Sequence, residues 1–326
     1  MTFDMTRLSA LETSAEQAIA RTVIYASLFD YPLSLPQLRQ SLIEASLGER
    51  EIVEIYKGSE PLQNAVSFAD GFFFPAGRDD LILERRRREA RSRAFLEQHR
   101  RLLELVCALP YVRVVALSGS IAHLNLDRGG DLDLFVITRG RRVWSVTVAI
   151  VLLAKLLGCR RTVCANFVMA DTRLAVDDQD LFTANQILHL KPLVGRRAFA
   201  GFLAANPFVR RFYPNLSPPT DADVPIRLAE APILKRALEV ALALPWACCE
   251  AACRLAYRRH LQRRAAQWQS PQNVRLETDR LKLHTRSHRE PVLARFDLAL
   301  SRVLARAADS ACAVGATASS RSARRR

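Results

Sequence analysis

Lysine is scarce in this chain: it occurs only at positions 57, 155, 191, 235 and 282, although Lys and Arg together number 48. The formal charge of +15 therefore rests almost wholly on arginine, which accompanies abundant Ala and Leu and so is a weak signal for nucleic acid. No GxxxxGK[S/T] loop, kinase motif set, HExxH pattern or Ser-His-Asp order occurs, and no internal repeat, which excludes the commonest motif-borne chemistries and solenoid folds. The seven cysteines, at 107, 159, 164, 248, 249, 253 and 312, are odd in number and lack paired metal-ligand spacing. They read as reduced thiols of a cytoplasmic protein, with Cys248, Cys249 and Cys253 in a helical core rather than on zinc.

Long uninterrupted apolar runs are missing too. Val143 to Leu157 is too short to span a bilayer and contains Lys155. Ala231 to Tyr257 carries Lys235, Arg236, Glu239, Glu250 and Arg254 and is broken by Pro245, so it reads as two helices. The first residues, MTFDMTRLSALETSAEQAIA, are too polar for a secretory core, and no transmembrane segment is expected. With 49% hydrophobic and 25% charged residues, the chain can bury a sizeable core in two or three packed units.

The informative stretch is VRVVALSGSIAHLNLDRGGDLDLFVIT, from Val112 to Thr138. Val114 to Leu117 reads as a buried strand ending in a tight turn at Gly119, with a helix starting at Ser120. Ser120 suits an N-cap, helix-start N–H groups favour an anionic phosphate, and Gly119 permits close backbone approach. DLDLFVIT then reads as a second strand. Alternation places Asp131 and Asp133 on one face and Leu132, Leu134 and Val136 in the core. Two adjacent carboxylates repel unless a cation joins them, and magnesium takes oxygen ligands while retaining substrate phosphate in its shell.

This Gly-Ser turn, loop and acid-x-acid pair resembles the motif of the DNA polymerase beta-like nucleotidyltransferase superfamily. The resemblance covers about a quarter of the chain. It implies transfer of a nucleoside monophosphate from a nucleoside triphosphate to an acceptor hydroxyl, with Gly119 and Ser120 holding the triphosphate and Asp131 and Asp133 holding Mg2+. It also implies a third acid on a later strand. The next strand, Arg161 to Ala170, offers none before Asp171, which is the expected third acid; Asp177, Asp178 and Asp180 read as loop or helix-start residues.

The expected fold is α+β: a nucleotidyltransferase-type mixed sheet with packed helices, an amino-terminal winged-helix-like module and a carboxy-terminal helical region. The expected divisions are 1–84 for the winged-helix-like module, 85–101 for a basic linker helix, 102–177 for the catalytic domain, 178–310 for the helical region and 311–326 for a disordered basic tail. The first module would have helices at 15–28, 34–47 (capped by Ser34) and 49–57, then strands at 65–68 and 71–74. Glu49, Glu51 and Glu54 would oppose DNA phosphate from the third helix, so packing or protein contact is favoured over nucleic acid. Arg85 to Arg88, Arg91 and Arg93 read as the solvated face of a long helix. Asp180 to Phe202 reads as helix broken at Pro192, and 295–308 as the last helix. His123 is a candidate for touching substrate and Asn185, His189 and Lys191 for lining an acceptor pocket, each with a plain structural alternative.

Two other functions are alternatives, the second without a sequence feature that argues for it. One is a catalytically degenerate protein that senses nucleotide and regulates DNA or a partner protein; the other is a structural adaptor. Acceptor and base are left open, because one scaffold serves many acceptors.

Overall fold

The computed structural model describes residues 11, 13–228, 232–283 and 289–301. The tail at 311–326, Cys312 and the 302–308 end of the expected last helix lie outside them. The chain is mixed α+β and divides into two units, the first of 1–87, 208–217 and 288–326, the second of 88–207 and 218–287.

In the first unit, α1 (Ser14–Ser27) starts at a capping box in which Thr13 Oγ1 and Glu16 exchange backbone bonds. Strand β1 (Leu33–Ser34) leads into α2 (Leu35–Gln40), followed by α3 (Glu49–Gly58) and α4 (Glu60–Ala65). The second helix is thus shorter than the stretch to Leu47, since the chain turns after Gln40 and Glu44 takes a positive φ of 56°. Strands β2 (Val66–Ala69) and β3 (Phe72–Pro75) form a hairpin whose two turn residues, Asp70 and Gly71, both have positive φ. The sheet order is β1-β3-β2. Helix α5 (Asp80–Gln98) begins here. Its Arg85 is 5% exposed, lies 3.6 Å over the Tyr31 ring and donates to Pro32 O. That arginine is therefore a core residue and not part of a solvated face, because an aromatic ring and a carbonyl take its planar cation.

The second unit contains α6 (Arg100–Ala108), β4 (Val112–Ser118), α7 (Gly119–Ala122), β5 (Leu132–Thr138), α8 (Val143–Leu156), β6 (Val163–Ala170), α9 (Leu181–Leu188), β7 (Lys191–Val194) and α10 (Arg196–Ala204). After α11 (Phe208–Phe212), which belongs to the first unit, come α12 (Pro232–Ala241), α13 (Ala243–Arg263), β8 (Val274–Leu276) and β9 (Arg280–Leu283). The stretch from 178 onward, expected to be helical, thus also supplies three strands. Pro192 lies inside β7, an edge strand, where a missing N–H costs least. The break between α12 and α13 falls at Leu242; Pro245 sits in the first turn of α13, where its N–H would have no partner anyway. Cys248 and Cys249 are exposed on α13 rather than in the core.

The six strands run in the order β7-β4-β5-β6-β9-β8. Only β5 and β6 are parallel, joined through α8; the other neighbours are antiparallel. Leu132, Leu134 and Val136 are fully buried with Leu103, Val106, Trp144, Val146 and Ile150, so one face is covered by α6 and α8. The alternate residues of β5, Asp133 and Phe135, face the other way, where Phe202 of α10 meets Phe135 at 4.9 Å. That second face carries the site. Among the described residues no helix is long and apolar enough to cross a membrane.

Candidate active site

Strand β4 delivers the chain to Gly119, whose φ of +63° is the left-handed conformation that glycine adopts freely. Ser118 pairs with Asp133 across β4 and β5, and a Cβ on Gly119 would collide with Asp133 Oδ2. Glycine is therefore favoured twice, by its own left-handed backbone and by the carboxylate beside it. The helix that follows is one turn, beginning at Gly119 with Ser118, not Ser120, at the N-cap, and Ser118 makes no side-chain capping bond. Over so short a helix the dipole is small; what the turn offers a ligand is backbone N–H groups at an exposed bend.

Asp131 and Asp133 do come together on one face. Their oxygens and Cys164 Sγ all lie within 4.8 Å of one another. Among the described residues neither carboxylate has an ion-pair partner, although arginine is abundant. Burial raises the Asp131 carboxyl above its ordinary value, with the Asp127 charge adding to it. Asp133 is pushed up to about 8, first by burial and then by the Asp131 charge, against a hydrogen bond from Asn166. Asn166 Nδ2 donates to Asp133 Oδ1. Cys164, the register partner of Asp133 on β6, is pushed up to about 12 by burial and then by the two aspartates. A neutral thiol is a poor ligand for a hard cation, so the oxygen donors of Asp131 and Asp133 are the ones that fit magnesium.

Asp171 is not part of this group. It follows β6 at its far end: its N–H donates to Thr138 O, and its Oδ1 accepts from Gly140 N at 2.8 Å. Asp133 and Thr138 are the two ends of one extended strand, five residues or roughly 17 Å apart. The reason is polarity: β5 and β6 run parallel, so the residue that follows β6 belongs at the opposite edge of the sheet from the one that begins β5. The strand position beside the pair is taken by Asn166, which cannot accept a proton as a carboxylate does. Asn166 and Cys164 had no motif to mark them; Cys164 is placed by strand register and Asn166 by its hydrogen bond to Asp133 where that register shifts.

His123 and His189, at the carboxy-terminal ends of α7 and α9, touch with ring centroids 3.9 Å apart and ring planes tilted by 48°. Lys191 lies opposite Leu117, where burial lowers its pKa and the Asp223 charge opposes the shift. From the same helix, Thr183, Gln186 and Ile187 face a cleft whose floor includes Ser118, Phe135 and Phe167 and whose far side holds Arg275, Arg280 and Lys282. Asp177 and Asp178, expected in a loop, are there, held by Arg280 at 2.6 Å and Lys282 at 2.7 Å, and Asp180 caps α9 by accepting from Thr183 N. Comparisons with protein-family models, with curated proteins and with solved structures return no significant match for this chain.

Proposed function

We propose that the protein is a metal-dependent nucleotidyltransferase that moves a nucleoside monophosphate from a nucleoside triphosphate to an acceptor hydroxyl. The observation that carries this reading is a pair of neighbouring carboxylates without a cationic partner among the described residues, set against a left-handed glycine turn in which a side chain would crowd Asp133. Asp131 and Asp133 would hold Mg2+, which when bound would neutralise the pair and the triphosphate. The N–H groups of Gly119 and Ser120 would bind phosphate oxygens. In the reaction the acceptor oxygen bonds to the α-phosphorus, the bond to the β-phosphate bridge breaks, pyrophosphate leaves and the hydroxyl proton passes to solvent. On this reading the six-stranded sheet is the nucleotidyltransferase fold, and α1 to α4 with the β1-β3-β2 sheet are a winged-helix-like module. Cys107, Cys159, Cys164, Cys248, Cys249 and Cys253 stand outside any disulfide, which accords with a cytoplasmic setting.

One observation favours a second reading. With Asn166 bonded to Asp133 and Asp171 at the far edge of the sheet, no third carboxylate among the described residues joins the pair within 4.8 Å to take the acceptor proton. A protein of this kind that binds triphosphate and transfers nothing would serve as a nucleotide sensor. Calorimetry of the whole chain with each nucleoside triphosphate, with and without magnesium, tests both. Magnesium-dependent binding that Asp131→Asn and Asp133→Asn abolish supports the site; pyrophosphate release with an acceptor mixture then selects the enzyme over the sensor, and no binding rejects both.

A further inference from the structure

Strand register lays out a second set of groups on the face that bears Asp133. One row across the sheet reads Phe135, Phe167, Lys282, Arg275, each residue the pairing partner of the next. Neighbouring strands lie about 4.8 Å apart, so the row passes from two aromatic rings to two cations over roughly 14 Å. Asp133 is one same-face step, two residues, from Phe135. Phe135 and Phe167 meet edge to face at 5.6 Å, and Phe202 closes on Phe135 from α10. Phe135, 3% exposed, is packed beneath Phe202, so the partly exposed ring of Phe167 gives the cleft its apolar floor beside the basic end.

The basic end is not neutralised. Arg280, 2% exposed, gives Nη1 to Asp177 and Nη2 to Ala175 O, while its Nε is buried without a partner. Lys282 Nζ bonds Asp178, which uses one of three donors. Arg275 is exposed, donates Nη1 to the carbonyls of Gln272 and Val274, and has no carboxylate partner among the described residues. Three cations therefore meet two carboxylates along one wall of the cleft. Thr183 and Gln186 supply neutral hydrogen-bonding groups from α9 opposite.

We propose that this cleft binds a small molecule with a flat apolar ring and an anionic group, phosphate or carboxylate, the ring on Phe167 and the anion on Arg275 and Lys282. In calling this molecule the acceptor the inference rests on the nucleotidyltransferase reading; the binding itself does not. A ring seated there directs its far substituent toward Asp133, where a hydroxyl would meet the α-phosphorus.

The test is calorimetry on the full chain without magnesium or nucleotide, using phenyl phosphate, phenylacetate, phenol, benzylamine and inorganic phosphate. Phenyl phosphate or phenylacetate should bind more tightly than phenol, benzylamine or inorganic phosphate, and which of the two binds better identifies the anion. Arg275→Ala, at an exposed residue without an ion pair, should weaken the anionic ring compounds about tenfold, the loss of a hydrogen bond to a charged group, and leave phenol unchanged. Asp131→Asn/Asp133→Asn should leave this binding intact, so a failure of the metal site appears separately from a failure of the cleft. Equal binding of phenol and phenyl phosphate, equal binding of inorganic phosphate, or an unchanged affinity in Arg275→Ala overturns the proposal.

Discussion

Gly119 and Asp133 share one small volume: a methyl group on the first would fall on Oδ2 of the second. The turn and the carboxylate are consequently a single construction, in which the left-handed backbone at 119 makes room for the acid that β5 presents. Gly119→Ala should therefore do more than strain the turn, which alone costs roughly 1–2 kcal/mol. It should displace Asp133 and abolish magnesium-dependent triphosphate binding while circular dichroism still reports a folded chain. Retained binding at wild-type affinity would separate the turn from the site.

The elements that carry this construction were legible because they are local. An apolar run, a Gly-Ser turn and an alternating DLDL start define β4, the bend and β5 without knowledge of anything distant. What was not legible depends on strands brought together from far along the chain. Asn166 reaches Asp133 from an irregularity in the pairing of β5 with β6, and Arg275 and Lys282 reach the same face through a hairpin more than a hundred residues later. Glu250 is a similar case: from α13 it accepts from Trp144 N at 3.0 Å and Ser145 N at 2.8 Å, so the start of α8 is capped by a residue of another helix. Arg85 looked like one more charge in a basic run, and only the position of Tyr31 makes it a core residue.

Asp171→Ala distinguishes a structural aspartate from a catalytic one. Its carboxylate holds Gly140 N and lies 3.8 Å from Arg113, at the edge of the sheet away from the pair. Loss of that backbone bond should cost about 1 kcal/mol in a denaturant melt. Binding of magnesium and triphosphate should not change, and a loss of binding would return Asp171 to the site.

Asn166→Asp would put a third carboxylate where the amide now donates to Asp133. Like charges at this range raise one another's pKa and increase the demand for a cation. The variant should bind magnesium or manganese more tightly, on the order of tenfold, since affinity rises with ligand charge. If the wild type is a sensor, this substitution is also the one that could supply the missing proton acceptor, and pyrophosphate release by the variant alone would be diagnostic. Unchanged cation affinity would show that the Asn166 position does not face the ion.

The proton on Asp133 gives the site a pH dependence of definite sign. Its folded pKa of about 8 lies above the ordinary 3.8, so between these values the folded chain holds a proton that the unfolded chain has lost. Stability of the metal-free protein should therefore decline as pH rises through that interval and level off above pH 8. Magnesium acts against this trend: the ion binds the ionised carboxylate, so near pH 7 binding should expel about one proton, and affinity should grow with pH until Asp133 is ionised in the free protein. Thermal melts from pH 4.5 to 9 with and without magnesium measure the first effect, and calorimetry in buffers of different ionisation enthalpy measures the second. Asp133→Asn should flatten both profiles; a wild-type profile that is already flat would mean that Asp133 is ionised without a metal, removing the strongest reason to place one beside it.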